Sequence, residues 1–252
     1  EPWNGGGLLP PDRGGWVRFA PSAIPFNEQD APPRALTKAE MAAIVDDFVQ
    51  AARRADRLGI DAIELHGAHG YLLHSFVSEL SNQRTDEYGG SFENRIRFPL
   101  EVFRAVRATW PASKPLGMRV SSSEYMPGGW DIEHTVRYAI ELKKLGCDWV
   151  DCSGGGNSPK QKIELKPGYQ APFAERVKRA NPQLRFIIHG GAEAWLVAEE
   201  LRRADVPVLI DPLVALPDHF ERPSEEMITR PAPWRGSPAH GPRRRFPRSA
   251  VR

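Results

Sequence analysis

From Thr37 onward the chain repeats one pattern, an amphipathic helical stretch followed by a short apolar run of strand length, and this pattern constrains the fold most. Thr37 with Glu40 three residues on forms a capping box, in which side chain and backbone satisfy each other's free amides. Met41, Ile44, Val45, Phe48, Ala52 and Ala55 then recur at helical spacing, and Gly59 supplies a left-handed stop. A strand over 60–65 follows, ending at His66. The spacing predicts further helices over 92–110, 131–145, 171–180 and 193–203, with Gly146 ending the 131–145 stretch. They alternate with strands over 116–120, 148–152, 185–188 and 206–210. Pro99 falls inside the 92–110 pattern and predicts a kink or a fresh start there.

Strict alternation of helix and strand means parallel strands joined by right-handed crossovers, an α/β fold. Five strands are legible. Two architectures accommodate them: an open sheet with helices on both faces, or part of a (β/α)8 barrel, which needs eight strands and about 250 residues. Residues 1–36 are too rich in Gly and Pro for a continuous helix or central strand. A loop of that length usually connects elements, so the expectation is that further chain precedes residue 1.

Composition excludes several classes. A hydrophobic content of 40% with 26% charged residues supports a packed core and rules out wholesale disorder. No apolar run approaches the roughly 20 residues that span a bilayer, so no membrane role is expected. Two cysteines, Cys147 and Cys152, are too few for a disulfide scaffold, which makes a reduced, cytoplasmic setting the expectation. The seven arginines of 230–252 meet no acidic residue, leaving 1–229 at a formal charge of about −5. That Pro-, Gly- and Ser-rich stretch is expected to be a disordered tail over 227–252, with no nucleic-acid partner.

In parallel α/β folds, ligand-binding groups gather at the carboxyl ends of the strands. Those positions hold His66, His69 and Tyr71, then Arg119, then Asp151, Cys152 and Ser153 with Gly154–Gly156, then His189, then Asp211. Two imidazoles three residues apart can donate to one ligand oxygen, and a phenol stays protonated at neutral pH. Such a set suits reduction of a carbonyl-conjugated double bond. The same spacing also fits core histidines or metal ligands.

The stretch "GIDAIELHGAHGYLLHSFVSELSNQRTDEYGGSFENRIR", with "GGWVRFAPSAIPF" before it and "MRVSSSEY", "DWVDCSGGG" and "PGYQAPFAERVK" after it, resembles the Old Yellow Enzyme family of FMN-dependent ene-reductases. The resemblance covers about 1–180. It implies a TIM barrel, FMN as cofactor and NADPH or NADH as reductant, with an activated alkene (an enone) as the small-molecule substrate. His66 and His69 match the pair that binds the substrate carbonyl oxygen, Tyr71 the proton donor, and Arg119 the arginine beside the flavin pyrimidine. Arg84, Asp86, Glu87, Arg95 and Arg97 read as scaffold ion pairs and caps.

Against that family the chain lacks the first strands and the phosphate-binding segments, so the expected fold is a partial barrel with an atypical C-terminal part. The expected organisation is a loop over 1–36, a barrel fragment over 37–180, a βα segment over 181–226 and the tail. Residues 183–221 resemble imidazolonepropionase-like amidohydrolases. Two alternatives follow: a metal-dependent amidohydrolase using His66, His69, His189 and Asp211, or a non-catalytic barrel fragment. Fewer phosphate contacts predict weak flavin binding, and open strand edges leave homo-oligomerisation open.

Overall fold

The structure, a computed structural model, describes residues 8–9, 11–166, 168–188 and 208–210. The helix and strand expected over 193–203 and 206–210, the tail, His189 and Asp211 therefore lie outside the described residues, except for the strand residues 208–210. Within Glu1–Ala215, a single 3-10 turn (Pro11–Arg13) precedes two short strands, β1 (Phe19–Ala20) and β2 (Arg34–Ala35), paired in parallel. Then come α1 (Lys38–Arg57), β3 (Ile63–Gly67), α2 (Leu72–Val77), α3 (Phe92–Thr109), β4 (Leu116–Ser121) and α4 (Ile132–Lys144). The last are β5 (Trp149–Ser153), α5 (Ala171–Ala180), β6 (Arg185–Ile188) and β7 (Val208–Ile210).

Local chemistry explains the boundaries. Thr37 caps α1 through the expected box with Glu40. At its other end Gly59, with φ +77°, donates to Asp56 O and Ile60 donates to Ala55 O, a Schellman motif. That motif consumes Ile60, so β3 starts at Ile63 and not at 60. The same device, Gly146 to Lys143 O and Cys147 to Leu142 O, closes α4. Pro99 neither ends nor restarts its helix: α3 runs through it as one element. Burial of Ile96, Phe98, Val102, Phe103 and Val106 around it outweighs one missing amide, each such side chain contributing about 1.5–3 kcal/mol. Helix α2 has no counterpart among the expected elements.

The sheet settles the choice between architectures. Its order is β3-β4-β5-β6-β7, all parallel, with no reversal. A doubly wound sheet would switch direction to place helices on both faces. Here α1 packs on α3, α3 on α4 and α4 on α5, a continuous outer layer of helices as in an arc of a (β/α)8 barrel.

Strand register then sorts the side chains. Leu65, Met118 and Val150 are paired across three strands, as are Gly67, Val120 and Cys152, and these rows are buried toward the helices. The alternate rows, Glu64–Gly117–Trp149 and His66–Arg119–Asp151, face the other side. Trp149 crosses over β4 to donate from Nε1 to Glu64 Oε2 at 2.6 Å. Only glycine permits this crossing, because a Cβ on residue 117 would lie 2.0 Å from Trp149 Cε2.

The opening segment is pinned to this arc. Arg84 pairs with Asp86 and donates to Pro21 O at 3.1 Å and Leu36 O at 2.7 Å, beside the ends of β1 and β2. Arg95 donates to Val77 O and Gly90 O, and Arg97 to Glu87 O. These residues hold scaffold, in line with their reading as ion-pair and capping residues.

Gly117→Ala is expected to displace the Trp149 indole and cost about 1–3 kcal/mol of stability. Chemical denaturation followed by tryptophan fluorescence reads both effects.

Candidate active site

Three ring-bearing side chains meet where β3 ends. His66 stands within the strand, on the face away from the helices. Its ring centroid lies 5.2 Å from that of His69 and 5.0 Å from that of Tyr71. Arg119 is its register partner on β4, and Asp151 is the register partner of Arg119 on β5. The Arg119 Nε sits 3.3 Å from the fully buried Asp151 carboxylate, while 26% of the arginine side chain remains exposed. The structure thus brings His66, His69, Tyr71 and Arg119 to one end and one face of the sheet.

Electrostatics follow from this placement. Partial burial, then the Arg119 cation, lower the His66 pKa, with Asp151 opposing them. A neutral imidazole beside a held guanidinium results. Burial pushes the Cys147 and Cys152 thiols up to about 12, so neither offers a thiolate at neutral pH.

The loop carrying His69 is clamped by backbone contact. Residue 69 is left-handed (φ +58°), and Gly70 follows with φ +75°. A Cβ on Gly70 would lie 2.3 Å from Gly156 O, and one on Gly156 would lie 2.3 Å from the His69 Cα. The two glycine-bearing motifs dock main chain to main chain, which no larger residue allows.

Beneath them lies a polar knot that sequence reading missed. His74 is fully buried and accepts the Gly70 amide on Nδ1 at 2.8 Å. Its Nε2 lies 3.4 Å from Glu124 Oε1, which also accepts Asn157 Nδ2 at 2.6 Å. Glu124 Oε2 accepts the Trp130 amide at 2.7 Å and the Ser78 hydroxyl at 2.9 Å. Burial first, then the neighbouring His69 and His66, lower the His74 pKa to about 3. The contact with Glu124 is thus made by a neutral ring. The sequence carried no signal for it, because α2, which sets His74 one turn after Gly70, was not among the expected elements.

Tyr71 caps α2 and is 63% exposed, facing a cleft of about 780 Å³. Trp16, Phe19, Ile24 and Phe26 line that cleft from the opening segment, and Leu80 and Met126 line it from the barrel loops. Its size and apolar lining are those of a small-molecule site. Among the described residues no group of three or more His, Cys, Asp or Glu is placed to hold a metal ion. None of the described helices is long and apolar enough to cross a membrane.

A singly wound arc of parallel strands, with imidazoles and a guanidinium at the carboxyl ends, defines part of a (β/α)8 barrel with its polar groups at the ligand-binding end. The sequence model of the NADH:flavin oxidoreductase / NADH oxidase family matches residues 17–164, and the chain belongs to that family. An NADPH dehydrogenase of Geobacillus sp. (strain WCH70) is 47% identical over 186 residues, 73% of this chain and 53% of that protein. An NADPH dehydrogenase of Bacillus velezensis is 41% identical over 218 residues, 85% of this chain and 63% of that one. The chain therefore spans between half and two thirds of the length of these two relatives.

Among solved structures, a 2-naphthoyl-CoA reductase complex superposes with a TM-score of 0.68 at 27% identity, covering 77% of this chain and 31% of that one. Morphinone reductase superposes with a TM-score of 0.61 at 28% identity, covering 78% and 56%. The amidohydrolase resemblance over 183–221 gains no support from these relatives.

His74→Asn tests the knot, since the Asn Oδ1 can accept the Gly70 amide without titrating. The native His74 pKa is depressed, so its neutral form stabilises the fold above the unfolded-state value of 6.5. That contribution is lost as pH falls from 6.5 toward about 3, at up to about 1.4 kcal/mol per pH unit. Urea midpoints measured across this range are expected to fall less steeply in His74→Asn than in the parent.

Proposed function

We propose that this chain carries the substrate-activating and flavin-facing half of an FMN-dependent NAD(P)H oxidoreductase that reduces activated alkenes. One observation carries the reading: His66 and Arg119 share a row on the face away from the helices, with the His69 and Tyr71 rings about 5 Å from His66. Membership of the flavin oxidoreductase family supports it.

The residues present fit FMN. A cation held by a buried carboxylate, yet a quarter exposed beside the His66 ring, suits the electron-rich pyrimidine edge of a flavin. Arg119 is the residue to hold that edge, and its fixed charge favours the anionic, reduced form. When bound, FMN supplies storage for a hydride taken from NADPH or NADH.

The rest is the work of this chain's side chains. His66 and His69 donate to the carbonyl oxygen of an enone, which draws electron density from the double bond toward that oxygen. Their backbone clamps fix the pair before substrate arrives, so orientation costs little at the moment of reaction. Tyr71 holds a phenolic proton at the cleft and delivers it to the carbon left electron-rich, solvent resupplying it. The apolar cleft lined by Trp16, Phe19 and Phe26 takes the hydrocarbon part of the substrate.

FMN titrated into the purified chain is expected to bind weakly, read as quenching of flavin fluorescence. Arg119→Gln is expected to weaken that binding about tenfold or more, the worth of one charge-assisted contact. Equal affinities would remove Arg119 from the flavin. With flavin bound, NADPH oxidation driven by cyclohexenone is expected to fall at least a hundredfold in Tyr71→Phe, while NADPH-dependent bleaching of the flavin persists.

A further inference from the structure

We infer that Ser153 and Gln170 are positioning residues that fix His69 as its Nδ1–H tautomer, so that Nε2 accepts from Ser153 and Nδ1 carries the proton. The inference comes from the last rung between β4 and β5, where Ser121 and Ser153 are register partners. Both side chains are buried, with 1% and 2% exposure. Each grips a different part of His69.

Ser121 holds the main chain. Its Oγ accepts the His69 amide at 2.9 Å and donates to Gly155 O at 2.8 Å. That bond anchors residue 69 in its left-handed conformation and directs the ring toward β5.

Ser153 holds the ring. Its Oγ lies 2.6 Å from His69 Nε2, and it accepts Gln170 Nε2 at 3.2 Å. The Gln170 amide nitrogen donates as well to the Tyr169 hydroxyl at 3.0 Å. An amide nitrogen has protons to give and no lone pair to receive one. The Ser153 hydroxyl proton therefore has one acceptor among its two neighbours, His69 Nε2. Burial makes that assignment firm, because a hydroxyl sealed from water has no solvent acceptor to turn to. With Nε2 accepting, the neutral ring carries its proton on Nδ1. A relay results, Gln170 to Ser153 to His69, whose direction is set by the amide.

The tautomer itself rests on this hydrogen-bond geometry. Its use, with Nδ1–H as the donor to a substrate oxygen, rests on the flavin oxidoreductase reading above. The two are separable because the tautomer can be read on the chain without flavin.

The test is a long-range proton–nitrogen correlation spectrum of the full chain labelled with ¹⁵N-histidine, with His69 assigned by its loss in His69→Asn. The parent is expected to show the Nδ1–H pattern for His69. Gln170→Glu replaces the donor with a carboxylate that only accepts, so the Ser153 proton turns to it and His69 is expected to switch to Nε2–H. Ser153→Ala removes the relay and is expected to shift the ring to the Nε2–H form favoured in water, while Ser153→Thr, which keeps a hydroxyl, restores Nδ1–H. An Nε2–H pattern in the parent would overturn the inference. So would an Nδ1–H pattern that survives both Gln170→Glu and Ser153→Ala. A switch in Gln170→Glu alone suffices to sustain it if Ser153→Ala fails to fold.

Discussion

Everything at the candidate site depends on the register between β3, β4 and β5. Side chains alternate faces along a strand, so a one-residue slip of β4 would turn Arg119 toward the helices and bring Met118 or Val120 to the open face. The register is held from both sides. On the helix side, Leu65, Met118, Val150 and their neighbours share one buried core with side chains of α1, α3 and α4. On the open side, Trp149 reaches across Gly117 to Glu64, a bond that forms in one register only. Hydrophobic burial supplies the driving force, and the indole bond with its glycine gap supplies the selectivity.

Register places residues but does not orient loops. That task falls to buried polar groups whose alternatives are costly. Glu124 gathers amide, hydroxyl and carboxamide donors from three loops, and His74 ties the same knot to Gly70. Removing any one partner would strand the others away from water, so the loops move together or not at all. The backbone contact between Gly70 and Gly156 adds a steric lock. Left-handed geometry at His69 is thus imposed by its surroundings, a strained conformation of the kind that collects at functional positions.

A division of labour between the two faces follows. Interiors of such barrels are ordinarily filled by aliphatic layers. Here the rows away from the helices carry Glu64, His66, Arg119, Asp151 and Trp149, polar apart from the indole body. The described arc therefore spends its hydrophobic residues on the helix side and keeps its chemistry on the other. The opening segment, held by Arg84, adds the aromatic wall of the cleft.

Much of this was legible in the sequence, for reasons of local chemistry. Capping at Thr37, the glycine stops at 59 and 146, and the helix–strand alternation are encoded within a few residues of where they act. The cluster His66, His69, Tyr71 and Arg119 was likewise readable from its place at strand ends. What local pattern could not decide was which atoms meet across strands. The continuity of α3 through Pro99 and the parts played by Glu124, Ser153 and Gln170 depend on packing and partners that the local pattern does not show. Sequence determined the elements and the inventory of reactive groups, because short-range hydrogen bonding and periodic burial are local. The tertiary structure alone decided which proton each group holds and toward what it points, because that is fixed by contacts between separate strands and loops.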